Sequence, residues 1–410
     1  MIGPGFQCRS CGGSQGSLVL DLGVQPLANN LLRKEDLGRP EPKFPLRVAV
    51  CESCWLMQIL DTVPPVELFS EYLYFSSFSQ SMLSHAKEAA NRYAAEFKLR
   101  ASSLVVEVAS NDGYLLKNFV AAGVPCLGIE PAANIAKVAG ETGVETLVEF
   151  FGPELAMRLA RENRQADLIL GNNVFAHVPE PNGFVEGIRI LLKPQGVAVL
   201  EFPYGVDFIE HNEFDTVYHE HVFYFTLTPL MPLFERHGLQ VSRVERIPIH
   251  GGSLRLFVAH KDAHSVDESV GHLAAAEQQK GISSSEYYEK FAKKVAPLRN
   301  ALRELIQRLK AEGKCVAAYG ASAKGSTLLN YYGIGAESLE FVADRSTYKQ
   351  GRFTPGMHIP ILPAEALLER MPDYTLLLTW NFADEIIAQQ KTYRERGGKF
   401  IVPIPEVRIV

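Results

Sequence analysis

Residues 105–116 read VVEVASNDGYLL. An apolar run carrying one carboxylate, Glu107, ends in the polar turn Asn111-Asp112-Gly113 and passes into a second apolar run. That pattern predicts strand, turn and helix. Gly113 lets the backbone approach a ligand closely. A single glycine is unlike the glycine-rich fingerprint that cradles a dinucleotide pyrophosphate, so a nucleoside without phosphates fits better. At the next strand end, in IEP, Glu130 stands where a carboxylate can take both ribose hydroxyls. Two carboxylates without a phosphate cradle point to S-adenosylmethionine, with Glu107, Asn111, Asp112, Gly113 and Glu130 as its contacts. The plainer alternative is that both glutamates cap helices.

Working outward, PCLGIEP, ADLILGNNVFAHVP and KPQGVAVLEFP read as further strands alternating with helical segments, which predicts a parallel sheet covered on both faces. The third strand delivers Asn172, Asn173 and His177 to the carboxyl edge of the sheet, where ligands bind; Asn172 and Asn173 are read as cofactor contacts. His177 is either a hydrogen-bonded core residue or a substrate contact. A charged helical stretch covers 266–312, and a second strand–turn–helix series begins at KCVAAYGASAKGSTLLNYYG. The expected division is a zinc-binding module over 1–70, an S-adenosylmethionine domain over 71–265, a helical connection over 266–312 and a Rossmann-like α/β domain over 313–410.

The first module is marked by two C-x-x-C pairs, Cys8 with Cys11 and Cys51 with Cys54. Two such pairs complete a four-thiolate zinc shell; two disulfides or a redox pair are the alternatives. A closed shell has no open position for substrate, so this metal is structural. Cys126 and Cys315 lie in apolar strand contexts and are expected to be buried small hydrophobes. Net charge is −6 without long runs, which gives no electrostatic footprint for nucleic acid or anionic membrane. No stretch approaches the roughly 18 uninterrupted apolar residues of a membrane helix, and MIGPGFQC lacks a signal-peptide pattern, so a cytoplasmic protein is expected. Oligomeric state stays open, a monomer included, since no heptad seam is present.

The densest constellation is FDTVYHEHVFYFT, residues 214–226, where Tyr218, His219, Glu220 and His221 are consecutive among aromatic neighbours. In a strand, Tyr218 and Glu220 share one face and the histidines the other; in an irregular loop all can converge. A base near neutral pH, an adjacent carboxylate and a phenol that donates to an oxyanion are what proton abstraction beside a carbonyl needs. A second metal site through His219 and His221, or a plain aromatic core, are the alternatives.

These residues resemble the deoxysugar C-methyltransferases that act on dTDP-linked 4-keto sugars, as in tetronitrose, kijanose and mycarose assembly. The resemblance runs over essentially the whole chain through CRSCGG, CESC, EYLYFSS, VVEVASNDGYLL, GIEPAANIA, NNVFAHVP, VYHEHVFYF, HGGSLR, YGASAKGSTLLNYYGIG, YKQGRFTPGMHIP and IPEV. It implies a zinc-bearing module, an S-adenosylmethionine domain and a Rossmann-like domain, with the nucleotide sugar between the last two. It implies that His221 is the base at carbon-3 of the sugar, with Glu220, Tyr218, Tyr74 and His177 lining the site. Where that family carries Asp between Tyr and Glu, this chain has His219, so a second imidazole is expected beside the base. In the last domain, the amides and Lys324 of a strand-to-helix turn, where Ser322 leaves room, are expected to meet the pyrophosphate, with Asp344 at the second-strand acid position and Lys349 in the loop that follows as further substrate contacts; a mere cleft wall is the alternative. His250, in HGGSLR with Arg255, is assigned to the same cleft. The partner implied is thus a dTDP-linked 4-keto sugar, with neither nucleic acid nor membrane. Methylation of a sugar hydroxyl and a non-catalytic zinc-ribbon nucleotide-binding adaptor are the competing readings.

Overall fold

The computed structural model describes residues 5–69, 75–78, 80–249 and 251–410. Tyr74 and His250 lie outside the described residues. The amino-terminal module is a twisted hairpin of β1 (Gly16–Pro26) and β2 (Lys43–Cys51), extended antiparallel by β3 (Met57–Ile59). Each C-x-x-C pair sits in a tight turn. Gly12 N–H donates to the Cys8 carbonyl at 2.9 Å and Trp55 N–H to that of Cys51 at 2.8 Å. Gly12 and Trp55 both take positive φ, 74° and 64°, closing the two knuckles.

The central sheet is built from β4 (Val105–Val108), β5 (Cys126–Ile129), β6 (Thr146–Leu147), β7 (Ala166–Asn172) and β8 (Leu192–Pro203). The chain then leaves this sheet: β9 (Phe223–Tyr224) pairs antiparallel with β3 and becomes the fourth strand of the amino-terminal sheet. It returns through β10 (Leu239–Ile247) and β11 (Ser253–His260), giving the order β10-β11-β8-β7-β4-β5-β6. β4 lies inside the layer, between β7 and β5, and is buried on both faces, which is why it reads as an unbroken apolar run around Glu107. Each buried valine there contributes about 1.5–3 kcal/mol.

The sheet is mixed, which corrects the expectation of an all-parallel one. β11 runs antiparallel to both β8 and β10, because the tight return through Gly251 and Gly252, at φ 93° and 126°, reverses the chain instead of sending it through a helix. Arg255, expected in the interdomain cleft, lies inside β11 and pairs across the sheet with Glu201.

The stretch 266–312 holds two helices, Glu268–Lys280 and Ser285–Ala311, split where Gly281 turns left-handed at φ 77°. The longer helix buries one stripe, from Tyr288 to Leu309, and its Tyr288 ring stacks on Trp55 of the second knuckle at 6.3 Å. The last domain is a second sheet of β12 (Val316–Tyr319), β13 (Val342–Asp344), β14 (Ile361–Pro363), β15 (Tyr374–Leu377), β16 (Lys399–Val402) and β17 (Arg408–Ile409). Its order is β14-β13-β12-β15-β16-β17, parallel except for β17. Cys126 and Cys315 are half-buried rather than buried. Burial still pushes their thiols up, to about 11 and about 12. No helix among the described residues is long and apolar enough to cross a membrane.

Candidate active site

The four cysteines come together at the base of the amino-terminal sheet, their sulfurs all within 4.8 Å of one another. Cys8 faces Cys54 and Cys11 faces Cys51, each pair at 3.6 Å. A tetrahedral zinc with its usual sulfur distance sets sulfurs about 3.8 Å apart, so the shell fits. The Gly13 and Ser53 amides donate to Cys11 and Cys51 sulfur at 3.4 Å, supporting thiolate charge. Cys54 is driven far up by its neighbour Cys8, so four thiolates this close require a cation.

At the carboxyl edge of the central sheet, Asn111 and Gly113 adopt positive φ, 49° and 75°, folding the loop after β4 over the strand end. Glu130 accepts from the Asn111 amide at 3.0 Å and the Ala132 amide at 2.9 Å. The Asn111 and Asp112 side chains accept from the Ser76 and Ser77 amides, at 2.9 and 3.1 Å, fastening the entry to the first helix of this domain. Both Glu107 oxygens, Ser110 Oγ and Asp112 Oδ1 are buried without a hydrogen-bond partner among the described residues. Burial raises Glu107 well above the carboxylate range, with Asp112 and Glu130 adding to it. A guest carrying donors and positive charge answers that set of acceptors, which fits S-adenosylmethionine. Asn172 ends β7 and Asn173 follows at φ 53°, its amide bonded to the Glu201 carbonyl at 2.7 Å.

The segment 217–222 is irregular, and its side chains diverge. His221 Nδ1 lies 2.9 Å from the Thr216 carbonyl, and its Nε2 lies 2.7 Å from the Tyr218 hydroxyl. A carbonyl can only accept, so Nδ1 carries the proton and Nε2 is the basic nitrogen, with the phenol donating to it. His177 stands edge-on to His221, ring centres 4.8 Å apart, and burial lowers it to about 4, so it is neutral. Phe69 of the amino-terminal module covers His177 at 5.9 Å. Glu220 is buried and takes both amide hydrogens of Asn29, at 2.7 and 2.8 Å.

His219 is not beside His221. Its Nε2 bonds to the Pro45 carbonyl at 3.1 Å and its ring meets Phe44 at 5.7 Å, turned into the amino-terminal module, and burial holds it below the ordinary histidine range. The imidazole expected beside His221 from His219 is thus turned away, because the backbone does not run as a strand here: the His221 amide bonds back to the Tyr218 carbonyl at 2.9 Å, and that turn breaks the alternation that would put both histidines on one face. The metal reading of His219 with His221 falls for the same reason.

In the last domain, Ser322 caps the helix Ala323–Tyr332 by accepting from the Gly325 amide at 3.1 Å. Asp344 accepts from the Ala321 amide at 2.7 Å and Lys349 donates to the Ala321 carbonyl at 2.8 Å, so both brace that turn. Lys324 donates to Asn381 Oδ1 at 3.1 Å and lies 4.7 Å over the Trp380 ring. Gly251 and Gly252 press against Glu213 and Asp207, where a Cβ would come within 2.5 and 2.2 Å of carboxylate oxygens. Asn29, Asp215, Thr327 and Trp380 were not legible as site residues. Trp380 alone carried a signal, as one of two tryptophans in the chain.

The fold and the site define an S-adenosylmethionine-dependent class I methyltransferase fused to a zinc-binding module. Three family models match in order: a zinc-binding domain over 8–69, a methyltransferase domain over 82–244 and a C-methyltransferase C-terminal domain over 248–405. C-methyltransferase NovU of Streptomyces niveus is 40% identical over 411 residues, covering 100% of this chain and 98% of that protein. The chain belongs to this C-methyltransferase family. Among solved structures, magnesium protoporphyrin IX methyltransferase ChlM from Synechocystis PCC 6803 with bound S-adenosylmethionine is 12% identical with a TM-score of 0.34, covering 44% of this chain and 79% of that one. A S-adenosylmethionine-dependent methyltransferase from Anabaena variabilis is 16% identical with a TM-score of 0.35, covering 43% and 85%.

Proposed function

We propose that this enzyme methylates carbon-3 of a dTDP-linked 4-keto deoxysugar, with His221 as the base that removes the proton next to the carbonyl. The observation that carries this reading is the Thr216–His221–Tyr218 chain, which fixes the tautomer whose Nε2 can accept a proton. The carbon-3 hydrogen leaves as a proton to Nε2, its electron pair passes into the enolate, and the imidazolium keeps its Nδ1 bond to Thr216. The Tyr218 hydroxyl, relieved of Nε2, is the donor for the enolate oxygen. Phe175, Phe223 and Phe225, fully buried around this segment, support exclusion of water. S-adenosylmethionine, when bound by the loop after β4, supplies a methyl group on a positively charged sulfur. The carboxyl-terminal turn is proposed to take the pyrophosphate through Lys324, the member directed toward the central domain, and the helix amides, while Ser322, Asp344 and Lys349 hold the turn in shape. The domain limits stated from the sequence are retained as part of this reading.

The test is incubation of a dTDP-linked 4-keto-2,6-dideoxyhexose with carbon-13-methyl S-adenosylmethionine, followed by NMR. A labelled methyl on a quaternary sugar carbon is expected. A labelled methoxy group would overturn carbon methylation, and no product would favour the adaptor reading.

A further inference from the structure

The carbonyl that fixes His221 belongs to a short helical turn, Phe214–Thr216, and that turn is held from another domain. On one side of Thr216, Trp380 Nε1 donates to Asp215 Oδ2 at 2.7 Å. On the other side, Thr327 Oγ1 donates to the Val217 carbonyl at 3.0 Å. Phe214 stacks on Tyr332, from the same helix as Thr327, with ring centres 5.3 Å apart and 20° between planes. Both hydrogen bonds are buried, so neither is shared with water. The residues flanking Thr216 are therefore pinned to the carboxyl-terminal domain, while the Thr216 carbonyl faces the imidazole.

Nothing in the local sequence makes this arrangement. A three-residue helical turn has one or two internal hydrogen bonds to hold it, and a carbonyl that moves out of hydrogen-bond reach of Nδ1 stops selecting one imidazole tautomer. Tyr218 and His177 face the His221 ring, and Lys324 and Glu213 act on Asp215. Lys324 also lies over Trp380.

We propose that Trp380 and Thr327 are positioning residues of the active site, which hold the 214–217 turn so that Thr216 keeps His221 protonated on Nδ1 and basic on Nε2. The inference rests on His221 being the base. It makes the site a two-domain construction: the base is in register only while the carboxyl-terminal domain is docked. Lys324, resting on the same tryptophan, joins the proposed pyrophosphate end of the substrate to the turn that orients the base.

The experiment compares Trp380→Phe, Thr327→Val and Thr327→Ser in the full chain. Trp380→Phe keeps the ring and removes the N–H; Thr327→Val keeps the shape and removes the hydroxyl; Thr327→Ser keeps the hydroxyl. Histidine ring nitrogen-15 spectra read the His221 tautomer without substrate, and kcat and KM are measured with S-adenosylmethionine and a dTDP-linked 4-keto-2,6-dideoxyhexose. Trp380→Phe and Thr327→Val are expected to give a mixture of His221 tautomers and a kcat lower by roughly tenfold, with KM within about twofold. Thr327→Ser is expected to restore both. A single Nδ1–H tautomer and unchanged kcat in folded Trp380→Phe and Thr327→Val chains would overturn the proposal. So would a loss of kcat that follows only a lowered melting temperature and is not restored by serine. The Thr327 pair decides the matter where Trp380→Phe does not fold. Full turnover by His221→Asn would instead remove the reading of His221 as base, and the nitrogen-15 tautomer would still report on the positioning.

Discussion

The amino-terminal module and the carboxyl-terminal domain grip the same segment, 214–224, by different chemistry. The module works through hydrogen bonds to side chains and strand pairing: Asn29 donates to both oxygens of buried Glu220, His219 is seated on Pro45, and β9 completes the module's sheet. The carboxyl-terminal domain works through geometry, bonding the residues on either side of Thr216. The difference teaches that, with His221 as the proposed base, the zinc module forms part of the active-site wall, since its sheet is finished by residues two positions beyond that histidine. The last domain instead governs the direction in which the base points.

Breaking the module should have the largest effect. Structural zinc in small cysteine sites is worth on the order of 10 kcal/mol, so Cys51→Ser, or zinc removal by a chelator, is expected to unfold the module and abolish methylation with it. Circular dichroism and a methyl-transfer assay read both losses; full activity after complete zinc removal would separate the module from the site. Next comes the base itself. His221→Asn should lower kcat by about 10²–10⁴ while calorimetry still finds S-adenosylmethionine bound, because the loop after β4 does not depend on that imidazole.

Much of this was legible in the chain, and the exceptions have physical causes. VVEVASNDGYLL announced its strand and turn because β4 is buried on both faces, which leaves an uninterrupted apolar signature. The cysteine pairs were equally plain, since zinc dictates spacing locally. The antiparallel pair VSRVERI and LRLFVAH is not announced in the chain, since a tight hairpin has no helix to punctuate it. The divergence of His219 from His221 could not be read either, because it depends on a turn in the backbone between them, where the His221 amide bonds to the Tyr218 carbonyl at 2.9 Å. Asn29 and Thr327 are ordinary turn and helix residues by sequence; only tertiary contact gives them a task.

Two smaller effects sharpen the contrast. Asn29→Ala leaves Glu220 buried without that amide and should cost about 1–3 kcal/mol in denaturant unfolding, more than Thr327→Val, which removes a neutral bond worth about 1 kcal/mol. Equal losses would mean that the two grips are alike. The smallest effect is a pH dependence. Burial lifts Asp215 from 3.8 to about 7, with Lys324 and Trp380 opposing. A carboxyl whose folded pKa is raised favours the folded state below the unfolded value and loses that contribution as pH rises through 4 to about 7. Asp215→Asn, which cannot ionise and still accepts from Trp380, should therefore gain a few degrees of melting temperature relative to the parent chain between pH 5 and pH 8. A constant difference across that range would argue that Asp215 is ionised throughout.

The central claim, that His221 takes a proton from carbon beside a carbonyl, is tested most directly by hydrogen exchange in heavy water. A dTDP-linked 4-keto-2,6-dideoxyhexose is incubated with the enzyme and S-adenosylhomocysteine, so that the cofactor site is filled and no methyl can be transferred. Deuterium should enter carbon-3 with the parent enzyme and fail to enter with His221→Asn. Exchange at the same rate in both proteins, or none with a parent enzyme that methylates the same sugar, would contradict it.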